Sequence, residues 1–282
     1  MGRGVRLPGG SFAGRVGAAI LLAFALLAAA APLLSPYDPL AINYVAGSKL
    51  ARLLPPDAHF LLGTTYHGRD VLSQLLAGAR VSLAVGILSA LIIVVIGTNV
   101  GLIAGYFGGR VDAVLMRVTD IAFGIPFLPF AVLLVALLRP SIWNIIFTIS
   151  CLLWRSAARV IRAQVLSLKQ RAFVRAALVA GASPWRILYL HIFPNVLPIA
   201  LLYVAFGVAY AVLAEASLSF LGFGDPNMIS WGTMLYDTYL TGSISRAWWW
   251  TLPPGICITL FVVSVFLIAR DWERTVNPRM PP

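Results

Sequence analysis

The chain has 282 residues, of which 60% are hydrophobic and only 11% charged, and it carries a net charge of +11. A soluble domain carries about 25% charged residues, so an ordinary soluble enzyme is excluded, and a mean hydropathy of +0.89 points the same way. The two cysteines, Cys151 and Cys257, both fall in apolar runs, which excludes a disulfide framework and leaves them as small apolar side chains.

The apolar runs are long and continuous rather than alternating, so the expected class is an all-α polytopic membrane protein and not a barrel. The arginine excess does not read as a nucleic-acid surface, because no basic patch is interleaved with exposed aromatic residues. Arginine in the loops of a membrane protein accounts for it.

Arg3, Arg6 and Arg15 precede an apolar, Ala-rich run from Val16 to Leu34. Its length suits a first span of about 30 Å at 1.5 Å per residue. The Ala-rich end also resembles a cleavage site, but an uncleaved span is the expectation. Ser35 to Arg80 is polar and broken by prolines. Within it, Val71, Leu72, Leu75, Leu76 and Ala79 recur at helical spacing among polar residues. That pattern suits an amphipathic helix on the outer membrane surface and equally the extended start of the next span.

Val81 to Phe107 reads as the second span, with Gly97, Gly101 and Gly105 forming a stripe that lets another helix approach closely. Gly108 and Gly109 turn the chain. The third span is apolar from Ile121 to Leu138, with kinks expected at Pro126 and Pro129. Ile142 opens a fourth, whose lower part carries Arg155, Arg159 and Arg162 on one face. These arginines are expected to leave the membrane and snorkel toward lipid phosphates. Pro198 to Leu221 and Leu252 to Ala269 give the fifth and sixth spans. The aromatic residues between them, including Trp231, Tyr239 and Trp248 to Trp250, suit a water–lipid interface.

Six spans place both termini on one side. That side receives fifteen of the 21 lysines and arginines, which makes it cytoplasmic.

The stretch 171–198 lies on the same side. Phe173 to Ala180 is a short Ala-rich helix. Gly181 suits the left-handed C′ position. Ser183 and Pro184 pair as N-cap and first helical residue, and Pro194 is expected to end the second helix. A helix–turn–helix that docks into a partner protein and an interfacial hairpin without a partner both fit these residues.

RAALVAGASPWRILYLHIFP resembles the EAA loop of ABC-transporter inner-membrane permeases. Ala176 and Ala177 match its Ala pair, Gly181 its Gly and Pro194 its Pro, while Arg175 stands where the family has Glu. The resemblance is closest to the peptide/nickel branch, the oligopeptide and dipeptide C-type permeases, and runs along nearly the whole chain. LLGTTYHGRDVLSQLLAGARVSL is similar to that branch's outer-loop motif with Thr65 in place of Asp. GYFGGRVDAVLMRVTDIAFGIP and EASLSFLGFG with the following SWG are similar to two more, and Asn277-Pro278-Arg279 resembles a terminal DPR.

The resemblance implies an ABC importer type I permease fold in a bacterial or archaeal cytoplasmic membrane. Residues 1–80 would form an N-terminal span with its outer loop, and residues 81–282 the core. It implies four partners beside the bilayer: a second, B-type permease, two ATPase subunits, and an extracytoplasmic binding protein that delivers peptides or a related solute such as a nickel complex. The hairpin becomes the coupling loop. Its candidate residues are Phe173, Arg175, Ala176, Ala177, Gly181, Ala182, Ser183, Pro184, His191 and Pro194. ATP and magnesium would sit on the ATPase subunits, and this chain would bind no cofactor. Its two lysines, Lys49 and Lys169, precede Leu50 and Gln170, so no phosphate-binding Gly-Lys-Ser/Thr loop exists here. No catalytic constellation is present either. The competing function, a stand-alone secondary transporter or channel, lacks a clear inverted repeat and enough intramembrane acids for ion coupling.

Glu215 is the one acid well inside an apolar run. It has to face protein or water. With Ser219 it is a candidate for the translocation pathway or an outer gate, and equally for a structural acid bonded to the adjoining loop.

Overall fold

The computed structural model describes residues 11–45 and 49–276. Arg3, Arg6 and the Asn277–Arg279 motif lie outside them. The described chain is a bundle of helices with one two-stranded hairpin. Five helices are long and apolar enough to cross a membrane, and a bent pair makes a sixth when it is counted as one broken span. Each of the six expected spans thus corresponds to a long helix or to that bent pair, with changed boundaries.

Helix α1 (Phe12–Leu34) starts from Ser11, whose hydroxyl accepts the Gly14 amide. The Ser11 N–H donates to the Asp271 carboxylate near the end of α10 (Trp248–Val276), so the first and last described helices meet at one end of the bundle. Trp272 donates its indole N–H to the Pro198 carbonyl, which places Pro198 at that same end.

The loop between α1 and α2 (Val71–Phe107) is ordered by backbone pairing. Strands β1 (Tyr44–Val45) and β2 (Lys49–Leu50) form a short antiparallel hairpin. Asp70 then caps α2, its carboxylate accepting the Ser73 N–H at 2.8 Å and the Ser73 hydroxyl at 2.7 Å. The amphipathic stretch is thus the first part of a continuous 37-residue helix and not a separate surface helix. Its polar residues Ser73 and Gln74 are buried because the preceding loop folds over them: Ser73 accepts the Tyr37 N–H and Gln74 donates to the Pro39 carbonyl.

The glycine stripe of α2 seats helix α5 (Ile142–Leu168). A Cβ at Gly101 would stand 2.6 Å from the Ala158 carbonyl oxygen, and one at Gly97 would stand 2.6 Å from that of Trp154. The close approach expected of small residues is made here, backbone against backbone.

The third crossing is broken rather than kinked. Helix α3 (Gly109–Gly124) and helix α4 (Phe127–Leu138) meet at 91° around Ile125 and Pro126. Ile125 is extended (φ −86°, ψ 120°), as a residue before proline prefers. The arginines of α5 have partners within the protein. Arg162 forms a bidentate pair with Asp112 at 2.5 and 2.6 Å, and Arg159 reaches Asp120 at 2.7 Å. Both acids lie on α3, which packs along α5 and supplies the charge partners.

Pro194 does not end a helix. Pro184 to Phe223 runs as one 40-residue helical segment. It comprises α7 (Pro184–Arg186), a π-helical turn over Ile187–Ile192, α8 (Phe193–Leu218) and a second π turn over Ser219–Phe223. A wide π turn just ahead of Pro194 makes room for a ring that would otherwise strike the carbonyl one turn back. The helix of the fifth apolar run therefore begins well before Pro198, and that of the sixth begins at Trp248, before Leu252. Helix α9 (Trp231–Leu240) lies between them, started by a capping box in which Ser230 and Thr233 bond reciprocally. Trp231 and Trp250 are fully buried and not interfacial, whereas Trp248 and Tyr239 are exposed. Phe24 of α1 and Phe261 of α10 pack edge-on against Trp231, which supplies the apolar contact expected at an interface.

Candidate coupling hairpin and the buried carboxylate

Two regions hold the residues singled out from the sequence, and they lie at opposite ends of the bundle. The first is the hairpin formed by α6 (Ala172–Val179) and α7 with its π turn. Gly181 has φ +77°, and its N–H donates to Leu178 while that of Ala182 donates to Ala177. These bonds take up carbonyls at the end of α6 that no helical amide reaches. Ser183 accepts the Arg186 N–H at 3.4 Å, and Pro184 opens the next helix. Capping inferred from residue types is therefore realised in full at this turn.

The hairpin has a buried side and an open side. Val174, Ile187, Leu188 and Ile192 are buried against the bundle, with Ala177 and Ala182 half-buried beside them. Phe173, Arg175, Ala176, Gly181, Ser183 and Pro184 are exposed, as is Pro194 on the helix beyond. His191 is half-buried, and its carbonyl accepts the Asn195 side-chain amide at 2.7 Å. Arg175 has no ion-pair partner among the described residues. Leu178 is 62% exposed, Val179 89% and Trp185 55%, making an apolar ledge at the tip. None of these three was singled out from the sequence. The available signal was a Leu-Val pair directly before Ala180 and the turn glycine, at the end of a short helix.

The second region surrounds Glu215 near the other end of α8. The carboxyl group is buried, 2% exposed. Ser219 donates to its Oε1 at 2.7 Å, and Ser82 of α2 donates to Oε2 at 3.2 Å. The Ser82 oxygen also accepts the Trp231 backbone N–H at 3.3 Å. One carboxyl group thus joins α2, α8 and the start of α9. The cavity beside it is only ≈ 10 Å³. Glu215 and Ser219 are brought together as expected. Ser82 was not foreseen, because nothing local marks a residue so distant in sequence as a neighbour.

Residues 97–280 match the family model described as "Binding-protein-dependent transport system inner membrane component". A dipeptide transport system permease protein, DppC, of Bacillus subtilis is 34% identical over 262 residues, covering 93% of this chain and 80% of that protein. The oligopeptide permease protein OppC of the same organism is 36% identical over 252 residues, covering 89% and 81%. OppC of Haemophilus influenzae is 40% identical over 208 residues, covering 73% and 66%. A structure of the MetNI methionine ABC transporter in an inward-facing conformation shares the fold, with a TM-score of 0.58 at 20% identity over 74% of this chain and 98% of that one. The broken third crossing and the hairpin both lie within the matched residues. The chain belongs to the binding-protein-dependent transport system inner-membrane components and is a multi-pass permease subunit of an ABC importer.

Proposed function

We propose that this chain pairs with a second, B-type permease to form the translocation pathway of a peptide importer, with ATP hydrolysed on two separate ATPase subunits and substrate delivered by an extracytoplasmic binding protein. The exposed tip of the 172–192 hairpin carries this reading. A turn fixed by backbone bonds holds Leu178 and Val179 out at the tip, largely uncovered, with Trp185 beside them, its ring packed in part on Phe107 and Tyr189 and the rest exposed. An apolar patch held rigidly on a polar surface suits a partner's groove. The names of the dipeptide and oligopeptide relatives support the substrate class.

In this reading the hairpin end faces the cytoplasm, with both termini beside it. ATP-driven closure of the ATPase pair draws the hairpins together and turns the pathway outward. The hairpin transmits that movement because its buried side is continuous with the core behind α2 and α5. Glu215 acts as a latch that fixes α9 to α2 and α8. Its carboxyl group is closed in by hydroxyls, and the space beside it is only ≈ 10 Å³.

Co-purification tests the assembly. The tagged chain, expressed with the genes beside its own, is expected to bring down an ATPase and a second permease, and reconstituted uptake of peptide is expected to need all of them. Peptide uptake by the lone chain in proteoliposomes would overturn the assignment.

A further inference from the structure

A cavity of ≈ 320 Å³ opens at the end of the bundle away from the hairpin, between the 63–70 loop, the 222–229 loop and α9. That volume is at the lower end of the range for small-ligand pockets, about 300–1,000 Å³. Its walls carry both signs of charge: Arg69 with His67 on one side, Asp225 and Asp237 on the other.

Most of its polar groups are already occupied. Asp225 accepts the Ile142 N–H with one oxygen and the Asn227 N–H with the other. Gln74 donates to Pro39, and Ser219 donates to Glu215. Two groups remain. The Asp237 carboxylate accepts no hydrogen bond among the described residues, although it is half-buried on α9. Arg69 keeps a buried Nε with no acceptor, and it forms no ion pair with Asp237. Burial pushes the Asp237 carboxyl above its ordinary range, opposed by His67 and Arg69, so the three groups face one another across the space. A half-buried carboxylate and a guanidinium that leave each other unpaired carry unmet bonding capacity of opposite sign.

We propose that this cavity binds a short zwitterionic solute on its way into the permease, Asp237 taking the ammonium group and Arg69 the carboxylate. Resting on the peptide reading above, the solute is a di- or tripeptide held by its free main-chain termini. Main-chain termini are common to all short peptides, so such a site accepts many sequences while rejecting capped ones. Its floor is Ser219, the residue that bonds Glu215, so an occupied cavity touches the latch between α8 and α9 directly.

The test uses the assembled transporter in liposomes, with Cys151 and Cys257 replaced by Ala and a single cysteine placed at the cavity wall as Met228→Cys. A charged, membrane-impermeant methanethiosulfonate labels that cysteine. Millimolar Ala-Ala is expected to slow labelling at least threefold, and N-acetyl-Ala-Ala-amide is expected to leave the rate unchanged. Adding Asp237→Asn or Arg69→Gln is expected to remove the protection, while Arg246→Gln on the same side keeps it. Equal protection by both peptides, or protection that survives Asp237→Asn, would overturn the inference. Peptide uptake by the parent transporter is measured in parallel. Uptake without protection sinks the cavity site alone. Protection without uptake sinks the transport reading and leaves a zwitterion site.

Discussion

Arg155 replaces the amide hydrogen that Pro126 lacks. In an unbroken helix the Ala122 carbonyl would accept the N–H of residue 126. Proline has none, and the Arg155 guanidinium donates to Ala122 O instead, at 2.6 Å, with its charged plane 5.0 Å from the Phe123 ring centroid. The break between α3 and α4 is therefore capped from α5, and the arginine row of α5 has its uppermost member at the hinge.

Removing that cap leaves an acceptor without a donor where water is scarce. Arg155→Met is expected to lower stability by about 1–3 kcal/mol, the cost of one unsatisfied buried polar group. Arg155→Lys is expected to recover part of it, because an ammonium still donates once. Thermal unfolding of the purified permease pair in detergent gives the comparison. Arg155→Met with an unchanged midpoint would show that the Ala122 carbonyl finds another donor.

Gly101→Leu is expected to force α2 and α5 apart. Even a Cβ there would lie 2.6 Å from the Ala158 carbonyl oxygen and 2.8 Å from the Ile161 Cβ, and backbone cannot swing away as a side chain can. Overpacking of this kind costs about 1–3 kcal/mol or more. Expression and melting of Gly101→Leu beside Gly124→Leu, at a position with open space around it, separates the packing effect from added bulk alone.

At the hairpin, Gly181→Pro is expected to uncouple ATP hydrolysis from uptake while leaving membrane insertion intact. Proline fixes φ near −65° and has no N–H, whereas Gly181 needs φ +77° and donates to Leu178. Gly181→Ala keeps the N–H and costs about 1–2 kcal/mol of left-handed strain, so a milder defect is expected. Uptake per ATP hydrolysed is the quantity to measure. Full coupling in Gly181→Pro would remove the hairpin from the mechanism.

Replacing Glu215 distinguishes a latch from a gate. Glu215→Gln keeps an acceptor for one of the two serines and is expected to transport at near the normal rate with a modest loss of stability. Glu215→Ala strands the Ser82 and Ser219 hydroxyls and is expected to melt several degrees lower. A Glu215→Gln protein that melts normally yet transports nothing would make the carboxylate a pathway group.

Asp237 makes a prediction about pH. Its carboxyl is held above the ordinary range in the folded state by burial, against the pull of His67 and Arg69. A raised folded value means the folded chain binds the proton more tightly than the unfolded one. Its contribution to stability is therefore full below the unfolded carboxylate range and is lost as pH rises through the folded value. Asp237→Asn is expected to melt higher than the parent at neutral pH and to converge with it at acid pH. A gap that widens on acidification would contradict the sign.

Much of the hairpin was legible in residue order because its determinants are local. A glycine that can adopt positive φ, a serine cap and a proline at N1 act within one turn, and Gly181, Ser183 and Pro184 occupy those positions in the structure. The apolar runs were legible for a similar reason: lipid offers no partners to a backbone, so a continuous run of apolar residues has to be helical there. The spans, the glycine stripe and the turn at Gly108 followed from the sequence by itself.

What tertiary structure decided were the partners of groups whose local surroundings leave several options open. The three arginines of α5 pair with α3 because a broken third crossing lies beside them, not because of their spacing. Trp231 is buried because α1, α2 and α10 close around it, and Pro194 sits inside a helix because a π turn precedes it. Arg69 and Asp237 share a cavity although 168 positions separate them. Local propensity sets which segments are helices. The energy of burying a charge, a ring or a polar group depends on what the rest of the chain brings to it.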